Sequence, residues 1–328
     1  FTGNTKFSDE ELMNSLNLKS LEEYSQDEFN MAISSLRNKY LDEGYFFAEL
    51  DYTIIPNQNN LDINFSITEN DKTKIRRIKI TGNDKTYDNV IRREMKIFPG
   101  DIFNYNKIYD SLNSIFLLNY FENVIPNISV VENSQDQVDI DLSVIEKETG
   151  RANFSMGYNE VQGLTGGGGF EFINFMGKGQ MLSVNYSRGL QNQFQSSSYS
   201  SGNTDYESFS ISFREPRIFD TRNSIGFSLS HSEQGQGSSN LLKYDTVSDR
   251  GSIMFGRQFE WPDYFFRGNW SLTIRNTKYK GALIELQEDF DNQIIVSEGV
   301  SNGYASRTGI SITQIISRDS RNRPEFTT

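Results

Sequence analysis

Few side chains in this sequence have the types and spacing for covalent chemistry. The 328 residues include one histidine and no cysteine, which excludes a disulfide framework, a thiol nucleophile and a thiolate metal site. His231 stands in Ser230-His231-Ser232, read as the start of a polar loop, with no second histidine to share a metal ion. Glu288, Asp289 and Asp291 would attract a cation but lack the spaced ligands of a calcium loop. Gly166 to Gly169 superficially resembles a phosphate loop, yet no Lys-Ser/Thr follows and no helix opens there. A β-turn entering a strand is the better reading. No nucleophile–base arrangement stands out. The expectation is a non-enzymatic protein with no catalytic residue, no metal and no cofactor.

What remains is the hydrogen-bonding chemistry of the backbone itself. Arg151–Tyr158 reads Arg-Ala-Asn-Phe-Ser-Met-Gly-Tyr. On a strand, Phe154, Met156 and Tyr158 point one way and Asn153, Ser155 and Gly157 the other. Before this stretch the chain reads as small α+β modules. After it comes a series of strands with the same alternation.

Charge divides at the same place. Residues 1–150 hold 15 Lys/Arg against 26 Asp/Glu, and residues 151–328 hold 17 against 18. A near-neutral half after an acidic half fits a membrane part carrying an aqueous arm. The net charge of -12 argues against a nucleic-acid partner, which needs concentrated Lys/Arg. No run approaches the ~18 apolar residues of a spanning helix. The low mean hydropathy of -0.58 is compatible with a β-barrel, whose signal hides in short alternating segments. The sequence opens on Phe1 with no leader, and so says nothing directly about export.

The elements of the arm follow from local signals. Ser8 with Glu11, and Ser25 with Glu28, are capping boxes. The second opens a helix with Phe29, Ile33, Leu36 and Tyr40 on one face, stopped by Gly44. Strands are expected near Tyr45–Ile55 and Leu61–Ile67, with Pro56-Asn57 and Asn59-Asn60 as turn chemistry. The pattern then repeats: a strand over Lys74–Ile80, a short helix over Val90–Met95, a helix over Tyr105–Leu117, and strands over Phe121–Val131 and Val138–Ile145. Gly3-Asn4 recurs as Gly82-Asn83, so the repeat is about 75–80 residues long. Arg92, Arg93 and Glu94 read either as a solvated helix face or as a docking surface.

These residues resemble the polypeptide-transport-associated (POTRA) domain, a β-α-α-β-β unit. They include Gly3-Asn4 with Phe7-Ser8, Gly44-Tyr45, Gly82-Asn83, Arg92-Arg93-Glu94-Met95, Pro99-Gly100-Asp101 and Asn119-Tyr120-Phe121. Asn119 stands in the second copy where the first has Gly44, and Asn is the next-best residue for a left-handed cap. The expected domains are residues 1–70 and 71–148, two POTRA domains, and residues 149–328, the N-terminal half of a barrel.

Eight stretches of residues 151–328 alternate, among them Leu182-Val184-Tyr186, Phe209-Ile211-Phe213, Ile225-Phe227-Leu229 and Trp270-Leu272-Ile274. Their second face is Ser, Thr, Asn and Gly rather than the Lys and Glu of a water-exposed sheet. Connections at Asn174–Gln180, Glu215–Asn223 and Glu260–Gly268 are short or moderate. Those beginning at Arg188, His231 and Asn276 are long and polar, and the one at Asn159 is short. Short turns on one side and long loops on the other is the outer-membrane pattern, with the short turns periplasmic.

This half resembles the barrel of BamA-type outer-membrane assembly factors. The residues that carry the likeness are Gly157-Tyr158, Gly167 to Phe170, Asn174 to Gly179, Glu215-Pro216 and Arg318 to Thr328. The family reads Phe-Pro-Thr where this chain has Phe326-Thr327. The resemblance implies an antiparallel transmembrane β-barrel of sixteen strands, of which about eight are present, so the chain is expected to be a fragment. It also implies folding and insertion of barrel proteins into the bacterial outer membrane. The implied partners are unfolded clients, accessory lipoproteins of the assembly complex and outer-membrane lipid. The POTRA domains would stand in the periplasm. It places a lateral gate, where a client strand binds, at Ala152, Asn153, Phe154, Ser155, Met156, Gly157 and Tyr158. Two other readings stay open: a two-partner secretion transporter of the same superfamily, and a soluble β-rich adhesin with a POTRA-like arm.

Overall fold

A computed structural model describes residues 1–16, 24–58, 60–132, 134, 136–159, 163–190, 206–235, 245–263, 265–280 and 304–319. They fall into two compact units, Phe1–Lys147 and Glu148–Thr328.

The first unit contains two copies of one motif. In the first copy, α1 (Asp9–Leu16) and α2 (Gln26–Asp42) pack on a hairpin of β1 (Glu49–Asn57) and β2 (Asn60–Thr68). Ser8 N donates to Glu11 Oε2 at 2.9 Å and Glu11 N to Ser8 Oγ at 3.3 Å, a reciprocal capping box. At α2 the Ser25 side chain accepts from Glu28 N. Phe29, Leu36 and Tyr40 of α2 pack against Leu12, Leu16, Phe65 and Ile67 in one core. Two expectations shift. The strand starts at Glu49 rather than Tyr45, because Ala48 N donates back to Tyr45 O in a turn. Pro56 and Asn57 do not form the turn; they pair with Leu61 and Asn60 inside the hairpin. Pro56 is tolerated there because β1 pairs on one side, with β2.

The second copy has β3 (Lys74–Thr81), α3 (Asp88–Arg92), α4 (Tyr105–Leu117), β4 (Phe121–Val130) and β5 (Gln137–Glu146), with sheet order β3-β5-β4. In the first copy Thr2 makes a parallel bridge to Ser66, the counterpart of the parallel β3–β5 pair. Asn119 has φ 63°, so it supplies the left-handed residue that Gly44, at φ 98°, supplies in the first copy. Arg93 and Glu94 are not a solvated face: their side chains are only 7% and 10% exposed.

The Gly-Asn turn is anchored alike in both copies. Gly3 and Gly82 have φ of 83° and 87°, and a Cβ there would lie 2.2 Å from Ile67 O or 2.1 Å from Val144 O. Only glycine allows both that dihedral and that approach. A glutamate at the end of the last strand then clamps the following residues. Glu69 accepts from Thr5 N at 2.8 Å, Lys6 N at 2.9 Å, Tyr40 Oη at 3.2 Å and the Thr5 hydroxyl. Glu146 accepts from Lys85 N at 2.8 Å and Thr86 N at 2.7 Å. Burial works against the charged form of Glu69, yet the hydrogen bonds from Thr5, Lys6 and Tyr40 outweigh it and hold the carboxyl below its usual range.

The copies meet through Asp42, at the end of α2. Its carboxylate accepts from Asn106 N at 2.9 Å and from Asn106 Nδ2, in the first turn of α4. Asn104 Nδ2 donates to Asp42 O at 2.6 Å. Gly44 O accepts from Thr73 N at 2.8 Å, and Phe46 meets Phe103 at 5.0 Å between ring centroids.

The described residues of the second unit form one antiparallel sheet of eight strands in chain order: β6 (Gly150–Asn159), β7 (Gly163–Phe175), β8 (Gln180–Leu190), β9 (Tyr206–Glu215), β10 (Asn223–Gln234), β11 (Asp245–Gln258), β12 (Phe266–Lys280) and β13 (Tyr304–Arg318). The registers put Phe154, Phe170, Val184, Ile211, Leu229, Ile274 and Ile310 on one face. The other face carries hydroxyl pairs: Ser183–Ser212 at 2.8 Å, Ser187–Ser208 at 3.2 Å and Ser252–Thr273 at 3.0 Å. At the short-connection end aromatic side chains gather. Phe255 and Phe259 meet Trp270 at 5.9 and 6.3 Å, and Arg318 lies over the Phe265 and Phe266 rings. An apolar outer band edged by aromatics over a hydroxyl-rich inner face is the pattern of a barrel wall in lipid.

Candidate functional site

The candidate in the second unit is its first strand, β6. β6 pairs with β7 alone among the described residues: Ala152 faces Phe170, Asn153 Gly169, Phe154 Gly168, Ser155 Gly167, Met156 Gly166, Gly157 Thr165 and Tyr158 Leu164. All seven residues expected to receive a client strand therefore lie together on an edge strand. Among the described residues no strand pairs with its other rim. Phe154, Met156 and Tyr158 are 83%, 78% and 61% exposed on the outer face. β13 is the opposite edge.

The inner partner of β6 is unusual. Gly166 to Gly169 are not a turn; they sit in the middle of β7, paired with β6 and with Arg188 to Asn185 of β8. A Cβ on Gly169 would lie 2.3 Å from Asn185 Oδ1, 2.8 Å from Asn153 Oδ1 and 2.9 Å from Val184 O. On the outer face the Phe154 ring covers Gly168, 3.0 Å from where a Cβ would stand. Side-chain pairs normally add to each rung of a ladder. Across this tract β6 is held by backbone hydrogen bonds, the Phe154 ring and Thr165 Oγ1, which donates to Gly157 O at 3.2 Å. The glycines were misread because a glycine run usually breaks structure. The available signal was that the run lacks Pro, Asn or Asp and is continuous with Phe170-Glu171-Phe172.

The remaining candidates are accounted for. His231 is inside β10, not at a loop start, with Nδ1 2.7 Å from Asp249 Oδ1 and Nε2 3.4 Å from Glu233 Oε1. Glu288, Asp289 and Asp291 lie outside the described residues. Among the described residues no cluster of three or more His, Asp or Glu is arranged to hold a metal ion. Arg92 pairs with Asp88 and donates to Ile78 O.

The POTRA family, described as a surface antigen variable number repeat, matches residues 1–70 and 73–147. The Omp85 superfamily domain matches residues 174–328. Outer membrane protein assembly factor BamA of Neorickettsia risticii is 30% identical over 217 residues, 65% of this chain and 27% of that protein. BamA of Neisseria meningitidis serogroup B is 28% identical over 180 residues, 54% of this chain and 23% of that protein. The chain thus spans about a quarter of the length of these curated relatives. The crystal structure of BamA from Haemophilus ducreyi lacking POTRA domains 1–3 shares the fold with a TM-score of 0.75, at 22% identity. The match covers 99% of this chain and 59% of that one.

Proposed function

We propose, for a chain that belongs to the BamA-type assembly factors of the Omp85 superfamily, that β6 templates the strands of client proteins as they enter the membrane. The chain's place is the bacterial outer membrane, with the two POTRA domains on the periplasmic side and β6–β13 as half of the barrel wall. The observation that supports the proposal is the glycine tract Gly166 to Gly169, which faces β6 across the ladder and adds no side-chain pairs to its rungs.

The physical need is plain. An unfinished barrel protein carries strands whose free N–H and C=O groups each cost several kcal/mol in hydrocarbon. A preformed strand edge satisfies them by strand addition. Weak side-chain coupling of β6 to β7 lets the edge adjust its twist to an incoming strand. β1 and β4 are edges of the POTRA sheets, and they supply the same bonding to an extended client in water. The partners proposed on this ground are unfolded outer-membrane clients, accessory lipoproteins and the surrounding lipid. Binding and templating involve no bond chemistry, so the role is non-enzymatic.

Disulfide trapping in the full-length protein tests the proposal. Cysteines placed singly at Ala152 to Tyr158 should crosslink to a stalled client strand. The register should move by one residue when the client cysteine moves by one. No crosslink at any register overturns it. A secretion pore would instead crosslink its cargo to the hydroxyl-lined inner face.

A further inference from the structure

The inner face of β10–β13 carries charges that its own rows do not balance. One row of that face reads Ser230, Arg250, Arg275 and Gly309 across the four strands. The row above it ends with Thr277 opposite Arg307, and the row below holds only serine and threonine. The hydrogen bonds fix these side chains on one face. Ser248 pairs with Thr277 at 3.3 Å, Ser252 with Thr273 at 3.0 Å, and Arg275 Nε donates to Ser248 Oγ at 2.8 Å. Three arginines therefore stand on three adjacent strands, and no carboxylate occupies any of the three rows.

Two features set this group apart from a solvated face. Arg250 and Arg275 are directly opposite in the ladder, an arrangement in which like charges repel. Their backbones are then only about 5 Å apart. Beside Arg275, the place of Gly309 is empty: a Cβ there would meet nothing within 4 Å. Arg307 flanks the same gap, two residues along β13. The remaining neighbours are short hydroxyl side chains, which neither neutralise the charges nor fill the space. A ligand suited to the gap is small, carries more than one negative charge and has oxygens pointing in several directions, since the guanidinium groups come from three strands. A phosphate or sulfate ion has that chemistry, whereas a single carboxylate is matched to one arginine fork.

We propose that Arg250, Arg275 and Arg307 form a binding site for a free tetrahedral oxyanion of the phosphate or sulfate class, seated over Gly309. The bound ion bridges β11, β12 and β13 and relieves the repulsion between Arg250 and Arg275. The site depends on the register of β10–β13 alone, not on the templating role of β6.

The test uses the full-length protein, delipidated in a phosphorus-free detergent, with inorganic phosphate as the probe and its ³¹P line width as the readout. The phosphate signal should broaden when protein is added. Sulfate should reverse the broadening, and chloride at equal ionic strength should not. Arg250→Ser should weaken binding about tenfold, the loss of one charge-assisted hydrogen bond. The double variant Arg250→Ser, Arg275→Ser should abolish it. Serine already occupies the neighbouring positions of this face, and a heat-modifiable electrophoretic band reports that each variant is folded. Arg250→Lys, which keeps the charge and loses the fork, should fall between wild type and Arg250→Ser. Arg267→Ser removes the same charge at the short-connection end of β12, opposite Gln258, and should leave binding unchanged. No broadening, or reversal by chloride as well as by sulfate, overturns the site, and both are read on the wild-type protein. Broadening that survives in the folded double variant also overturns it. So does an Arg267→Ser effect as large as that of Arg250→Ser, which would mark a diffuse field.

Discussion

Replacing Glu69 by glutamine tests whether the carboxylate clamp holds the first repeat closed. The residue is 9% exposed, and its carboxylate accepts from two backbone amides, a hydroxyl and a phenol. Glutamine has one acceptor oxygen in place of two and no charge. At least one donor is then stranded and the rest lose charge assistance, which together should destabilise the arm by about 2–3 kcal/mol. For a unit of this size that corresponds to a fall in melting temperature of roughly 5–10 °C. Amide exchange at Thr5 and Lys6 should accelerate by roughly 30- to 150-fold if the loss is local. The pH dependence fixes the mechanism. Because the folded carboxyl titrates below its ordinary value near 4.5, its contribution is complete above that pH and disappears as pH falls through the folded value. The wild-type and Glu69→Gln proteins should therefore differ most at neutral pH and converge once pH has fallen below the folded carboxyl's lowered value. Unchanged exchange at Thr5 and Lys6, or a difference that persists in acid, would refute the reasoning.

Asp42 and the glycines of the sheet give separate tests. Asp42→Ala should cost about 1 kcal/mol, as loss of a helix-terminal acceptor does, and quicken exchange at the Asn106 amide. Asp42→Asn, which keeps an acceptor and removes the charge whose burial raises this carboxyl's pKa, should be near neutral by the same measurement. Gly169→Ala forces a Cβ against two side-chain oxygens and Val184 O. It should abolish the heat-modifiable, folded electrophoretic form of the full-length barrel, whereas Gly251→Ala should not.

Much of this architecture is written locally. The capping box of Ser8 and Glu11, the left-handed Asn119 and the period-two strands each depend on residues a few positions apart, so pattern alone finds them. What escaped depends on neighbours distant in the chain. Glu69 and Glu146 close turns 60 or more residues upstream, and neither position has a local signature. Pro56 and Gly166–Gly169 look like breakers until the register shows one on an edge strand and the others beside β6 and β8. His231 reads as a loop residue because its Asp249 partner is supplied by the next strand. The candidate edge was legible as a strand with two faces. Its pairing with the glycine tract of β7 became visible only with the register.

The Asp42 contact also changes what counts as a folding unit. An acceptor in the first POTRA domain completes the opening helical turn of the second, so melting one strips a hydrogen bond from the other. Such nearest-neighbour coupling makes an array unfold cooperatively beyond the length of one repeat. It also stiffens the joint against bending, because a change of angle must first break the bonds to Asn104 and Asn106. A force applied to one repeat would then reach the next as a lever transmits it, rather than being absorbed at a slack tether.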